Sequence, residues 1–330
     1  MMAVPSDSEI RQAAAWLRSG RLVAFPTETV YGLGAEVWNE RAVAQVFALK
    51  NRPRFDPLIV HIAAREQLQE LVQAIPDEAQ RLIDRFWPGP LTLVLPKSER
   101  VPDLVTAGLS TVAIRQPAHP VALRFLAEAG VPVAAPSANR FGGISPTTAE
   151  HVRGQFPSDQ VLVLDGGPCP VGIESTVVAC AGGVWQVLRH GGTPIEELQR
   201  VLGTVTEAIS VTDRPLAPGQ LARHYAPATP LVVLAEGIPA GAESLRLGLL
   251  AMDGSAERLE LFQHVELLSE RRDLTEAASR LFAAMRRLDA AGLDLIVARP
   301  VPEQGLGRAI MDRLRRASSR ASPERPEAIR

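Results

Sequence analysis

The sequence predicts an α/β protein in two parts. Three observations carry that expectation. Short runs of branched apolar residues alternate with helix-period segments up to about residue 205; a proline-rich stretch then breaks every period; a second, shorter alternation follows. A chain of 330 residues also exceeds what one compact core usually organises.

Taken in order, Ser6 to Glu9 matches a capping box, and the helix it starts is expected to end near Gly20. Leu22–Phe25 is a short apolar strand stopped by Pro26. Asn39 caps a helix through Leu49, with Val43, Val46 and Phe47 on one face. Further strands are expected at Leu58–Ile62, Leu91–Leu95, Val112–Arg115, Val131–Ala135 and Val161–Leu164. Helical patterns lie between several of them, at Glu66–Ile75, Glu78–Phe86, Pro120–Ala129 and Thr147–Arg153. Ser175–Ala179 and Val184–Arg189 read as a hairpin around Gly182 and Gly183.

From about Gly203 to Pro230, Pro215, Pro218, Gly219, Pro227 and Pro230 predict a linker rather than an element. Leu231–Leu234, Leu247–Ala251 and Leu293–Ala298 then read as strands, and Leu274–Ala291 and Gly307–Arg316 as helices. The expected division is 1–205, a linker over 206–230, a small α/β domain over 231–318, and a polar, disordered tail over 319–330.

Thirty-five Lys and Arg against 37 Asp and Glu leave a net charge of −2, which argues against a general nucleic-acid coat. Cys169 and Cys180 lack zinc spacing and make no disulfide framework, so a reducing cytosol is compatible. The start, MMAVPSDSEI, carries no secretory pattern, and no apolar run approaches the ~18 residues of a membrane span. A cytoplasmic protein with no membrane attachment is the expectation.

No GxxxxGK[ST] loop, GxGxxG fingerprint, HExxH or GxSxG occurs, so any phosphate must be bound by another device. In KNRPRFDPLIVH, Lys50 and Arg52 stand close to Pro53 and Pro57, before an apolar run. Proline restrains the chain there, and concentrated positive charge suits a polyphosphate. Four other segments place polar groups where strands end and loops gather ligands. PTETVYGLG supplies Thr27, Glu28, Thr29 and Tyr31, or is merely a polar turn. TVAIR ends in Arg115, suited to forking onto a carboxylate or to a structural ion pair. APSAN presents Ser137 and Asn139, with Ser145 and Pro146 opening a helix whose free amides suit phosphate. GIEST offers Ser175, and the next strand ends in Arg189. Glu28 and Glu174 make no convincing acid–base pair, and a lone histidine such as His61 is more often structural than catalytic.

With these motifs in view, the chain resembles the two-domain threonylcarbamoyl-AMP synthases. PTETVYGLG, KxRP with PLIVH, TVAIR, APSAN and GIESTV resemble, in order, the YrdC domain from near residue 8 to about 205. LAPGQLARHYAP resembles the family's PGxxxRHYAP segment, and the last ~100 residues its small Rossmann-like domain. The implied fold is a YrdC-like open, twisted mixed sheet linked to that domain. The implied reaction joins L-threonine, bicarbonate and ATP, with magnesium, into threonylcarbamoyl-adenylate and pyrophosphate. A downstream tRNA threonylcarbamoyl transferase would use the product, so tRNA is met only indirectly.

The resemblance assigns Lys50, Arg52, Ser137 and Asn139 to the nucleotide, with Lys50 and Arg52 spreading the charge of leaving pyrophosphate. It adds Asp56, Thr111, Ser145, Arg189 and, from the linker, Arg223 and Tyr225 as ATP contacts. Thr29, His61, Arg115 and Ser175 match the threonine site. No residue is expected to hold a metal by itself. Two departures stand out: Asp56 where many relatives carry Asn, and Gln220, Leu221 and Ala222 where relatives often place methionine, lysine and tyrosine. Competing functions are carbamoyl transfer through a carbamoyl-adenylate and a non-catalytic RNA-binding or ribosome-associated role. The first lacks its cysteine-rich zinc motifs here, and the second lacks interleaved aromatic and basic residues.

Overall fold

The computed structural model describes residues 4–208, 217, 224–255 and 258–318. Arg223, Gln220, Leu221, Ala222, Pro215, Pro218, Gly219 and the tail from 319 onward lie outside the described residues. Strands β1 (Leu22–Phe25), β2 (Gly32–Glu36), β3 (Ile59–His61), β4 (Leu91–Pro96), β5 (Thr111–Arg115), β6 (Val133–Ala134), β7 (Val161–Val163), β8 (Thr176–Ala181), β9 (Val184–Arg189) and β10 (Val205–Glu207) form one mixed sheet. Its order is β10-β9-β8-β4-β5-β3-β6-β2-β1-β7. The second sheet holds β11 (Leu231–Val233), β12 (Leu247–Ala251), β13 (His264–Leu267) and β14 (Leu295–Ala298), all parallel, in the order β11-β14-β12-β13. Among the described residues no helix is long and apolar enough to cross a membrane.

Local chemistry explains the first helices. Ser6 and Glu9 close a reciprocal capping box on helix Asp7–Arg18. Asn39 accepts from the Ala42 amide to start Glu40–Lys50, and Asn51, in the left-handed region, ends it. Lys50 is therefore the last helical residue, where a cation suits the helix dipole.

Three expectations are corrected. PTETVYGLG is not all loop, because Gly32–Glu36 pairs with both β1 and β6. At Gly34 an added Cβ would meet Val133 Cγ1 at 2.7 Å, so glycine here lets neighbouring strands approach. The helix expected over Glu66–Ile75 is a 3-10 turn, Arg65–Gln67, running into the single turn Leu68–Leu71. The segment after Gly203 is not featureless: Val205–Glu207 adds β10 beside β9, carrying the first sheet two residues past the expected boundary. β13 also escaped the sequence reading, because a short strand bearing His264 and Glu266 shows no apolar alternation.

The two parts share apolar surface. Val30, Ile144 and Ile173 from the first pack with Tyr225 and with Ala278, Leu281 and Phe282 of helix Leu274–Ala290. Opposite the main helical layer, Ile59, Val94, Ala113, Val177 and Leu188 form a smaller apolar patch, on which Ala217 of the connecting segment is seated.

Candidate active site

Strand pairing brings the polar strand ends together. β3 and β5 run parallel with His61 opposite Arg115. β9 runs antiparallel to β8 with Arg189 opposite Val177, which sets Arg189 beside Ser175. The β1–β2 turn adds Thr27 and Thr29, and the chain leaving β6 adds Ala135, Pro136 and Ser137. With Arg52, Glu174, His224 and Tyr225 these line a cleft of about 50 Å³, room for a few water molecules.

Arg115 is only 3% exposed and is gripped on three sides. Its Nε donates to Gly89 O (3.1 Å), its Nη1 to Thr29 Oγ1 (2.8 Å), and its Nη2 lies 2.7 Å from Glu28 Oε1. Thr27 gives its proton to Val30 O at 2.7 Å, so the Thr29 hydroxyl donates to Thr27 Oγ1 at 2.8 Å and accepts from Arg115. Across the cleft, Arg189 donates twice to Ser175 O (3.2 and 2.9 Å) and once to Ser175 Oγ (3.2 Å). Ser175 Oγ also pairs with Thr92 Oγ1 at 2.7 Å. Both arginines are thus fixed before any ligand arrives.

His61 is buried, and its Nδ1 has no partner among the described residues. Burial, then the neighbouring Arg115 charge, pushes its imidazole down to about 3. It is neutral at physiological pH. His224 Nδ1 and Tyr225 Oη are likewise buried without partners. Tyr225 sits in the left-handed region (φ 64°), stacked on Phe282 at 5.6 Å, with the Arg313 guanidinium 5.1 Å from its ring.

Eight of the expected residues line the cleft: Thr29, Arg52, His61, Arg115, Ser137, Ser175, Arg189 and Tyr225. Five lie behind or beyond it, and Arg223 falls outside the described residues. Lys50, expected to face phosphate, donates instead to Ser137 O (2.6 Å) and to Asn139 O. A buried ammonium at a helix end takes carbonyls within reach, and burial and Arg52 push its pKa well down. Asn139 is also turned inward, donating to Arg140 O (2.7 Å) and Gly143 O (2.9 Å). Ser145 does not open a helix, since the next one, Ala149–Arg153, is capped by Thr148; its hydroxyl donates to Glu174. Thr111 lies four residues from Arg115 along β5, outside the cleft but on the same face of the strand.

Asp56 has an explanation. Its carboxylate lies 2.9 Å from Arg52 Nη2, while Arg52 also donates to Asp56 O (3.2 Å) and Pro57 O (2.8 Å). Burial pushes the carboxyl up, and the Arg52, Lys50 and Arg189 charges pull it back. The 2.9 Å contact makes Asp56 the partner of the Arg52 guanidinium.

Glu28, Glu174, His224 and Arg313 were not assigned from the sequence. Glu28, Glu174 and His224 stand inside quoted motifs, so a signal was present. Arg313 gave none: it is wholly buried, pairing with Glu174 Oε2 (3.0 Å) and donating to His190 O (2.6 Å) from helix Gly307–Ser318.

Comparison with known proteins matches this arrangement throughout its length. Residues 15–191 match a family model described as "Telomere recombination", and residues 193–319 one described as "Threonylcarbamoyl-AMP synthase, C-terminal domain". A threonylcarbamoyl-AMP synthase of Pyrococcus abyssi is 44% identical, covering 94% of each chain. That of Bacillus subtilis is 43% identical, over 95% of this chain and 94% of its own. A crystal structure of P. abyssi Sua5 complexed with L-threonine superposes with a TM-score of 0.89 at 43% identity, covering 96% of both chains. The chain belongs to the two-domain threonylcarbamoyl-AMP synthases.

Proposed function

We propose that this cleft makes threonylcarbamoyl-adenylate from L-threonine, bicarbonate and ATP, releasing pyrophosphate. The observation that carries the reading is the convergence of two fixed arginines, Arg115 and Arg189, on a cleft that also presents unpartnered buried polar atoms of His61, His224 and Tyr225. Such atoms are costly unless a ligand meets them.

Two of the five N–H groups of Arg115 remain for the threonine carboxylate. Neutral His61 can bond the threonine hydroxyl without adding charge. A substrate lacking that hydroxyl leaves the ring unpaired, costing about 1–3 kcal/mol. The threonine amine takes up bicarbonate with loss of water, giving a carbamate. A carbamate oxygen then attacks the α-phosphorus, and pyrophosphate leaves toward Arg52 and Arg189. No protein nucleophile is needed. Cys169 is buried with its thiol pushed up by that burial, and the Ser175 hydroxyl is engaged with Thr92 and Arg189. Positioning and fixed charge supply the acceleration.

The patch of Ile59, Val94, Ala113, Val177 and Leu188 suits the adenosine, and Thr111 shares its face. Ala217 is seated there, so a nucleotide on this patch would take the place of its side chain. Lys50, by tying Ser137 and Asn139 together, would shape the nucleotide loop. Magnesium has no protein cage here: among the described residues no three His, Cys, Asp or Glu cluster, and Asp56 is committed to Arg52. On this reading magnesium enters with ATP, and no step is derived through it. The product would pass to a tRNA threonylcarbamoyl transferase.

The test is pyrophosphate release by the full chain. Release that requires both L-threonine and bicarbonate supports the proposal; release indifferent to either overturns it.

A further inference from the structure

The second sheet ends in a cleft that the reaction does not use. Its strands all run parallel, so their carboxyl ends share one edge, and the segment leaving each of the four contributes to a pocket of about 430 Å³. In open α/β sheets that edge is where loops gather around a ligand, and small-molecule sites have this size.

Arg299, directly after β14, is only 9% exposed although it carries a charge. Its Nη1 donates to Leu234 O (3.1 Å) and its Nη2 to Gly237 O (2.8 Å), and Phe262 lies 5.9 Å from the guanidinium. These contacts fix the fork and leave three of its five N–H groups for something else. The cleft's other cation is already answered: Arg272 pairs with Asp253 and donates to Ser255 Oγ at 2.9 Å. The charges left at the cleft are Arg299 and the exposed Glu236. The Glu236 charge acts on Arg299, and Ala251, Met252, Pro300 and Pro302 add apolar wall.

We propose that this cleft is a second ligand site and that it takes a mononucleotide. The phosphate meets Arg299 through a two-bond fork, the base lies against Met252 and the prolines, and Glu236 accepts from the ribose hydroxyls. The sequence has no GxGxxG turn to wrap phosphate in backbone amides, and a pre-set guanidinium replaces it. None of the residues lining this cleft lines the catalytic one.

Hydrogen–deuterium exchange of the full chain, with AMP as the probe, tests this segment by segment. AMP should slow exchange in the segments after β11, β12 and β14. Arg299→Gln should raise the midpoint there at least about tenfold, with pyrophosphate release within about twofold of the parent. Glu236→Gln changes an exposed side chain, keeps the fold intact, and should raise the midpoint about threefold or more. Protection confined to the catalytic cleft, or midpoints unmoved in both variants, overturns the proposal. Equal protection by inorganic phosphate at the same concentration overturns the mononucleotide assignment. Pyrophosphate release reports the catalytic reading separately, so the two can fail independently.

Discussion

Arg115 answers Glu28, Thr29 and Gly89 at once, so its removal has two separable effects. Arg115→Ala should raise the apparent KM for L-threonine at least about tenfold, equivalent to ~1.4 kcal/mol. It also strands buried Glu28, at a stability cost of about 3–5 kcal/mol. Adding Glu28→Gln should recover much of the urea midpoint while leaving KM high. A single variant with parental KM would remove Arg115 from the threonine contact. Asp56→Ala should likewise destabilise by several kcal/mol, about 3 or more, because buried Arg52 loses its counter-charge; Asp56→Asn, which still accepts hydrogen bonds, should cost visibly less in the same urea titration. At this scale the sequence was informative wherever a polar residue ended a strand, as Arg115, Arg189 and His61 do. It could not show which way a side chain turns. Lys50 ends helix Glu40–Lys50 and turns to carbonyls of Ser137 and Asn139 that only folding brings near, while Asn139 turns back onto carbonyls of its own loop.

Glycine and one helix control how the second domain meets GIEST. Gly172 has φ 73°, and an added Cβ would stand 2.4 Å from Ser279 Cα in helix Leu274–Ala290. Gly172→Ala therefore strains its own backbone and pushes against a helix that cannot yield locally, at a combined cost of about 2–5 kcal/mol. The expected result is a lower melting temperature together with lower kcat, since Glu174 and Ser175 follow directly. Gly182→Ala has φ 58° but nothing within 4 Å of the new Cβ, so it should leave kcat unchanged. Equal kcat effects in the two variants would show that the contact with Ser279 is unimportant. Helices with local start and stop signals, such as Asp7–Arg18 and Pro120–Ala129 with Gly130 after it, were readable because those signals are local. β2, β10 and β13 were not. Each is short, with glycine or charge in it, and takes its strand character from the strands it pairs with rather than from its own residues.

Across the whole molecule, buried neutral histidines set the acid limit of stability. The imidazole of His61 is held down to about 3 and that of His151 to about 4, and burial holds His224 well below its usual range. Unfolded histidine binds a proton below pH ~6.5, whereas these folded groups do not. Stability should therefore be full above that pH and fall as pH drops toward 4, by up to about 1.4 kcal/mol per pH unit for each of the buried His61 and His224 and by less for half-buried His151. Urea midpoints at pH 7 and pH 5 measure the slope, and His61→Gln should flatten it; an unchanged slope would mean His61 is not held neutral. Ending the chain after Ala208 keeps β10 but removes His224, Tyr225 and Arg313 and bares Val30, Ile144 and Ile173. Pyrophosphate release should then fall at least about a hundredfold, ~2.7 kcal/mol; parental activity would show the cleft needs none of them. Arg313 also bears on biosynthesis. It reaches Glu174 from helix Gly307–Ser318, made long after β9 is complete. Domains fold as they leave the ribosome, amino-terminal part first. A nascent chain therefore exposes Glu174 long before Arg313 exists to pair with it.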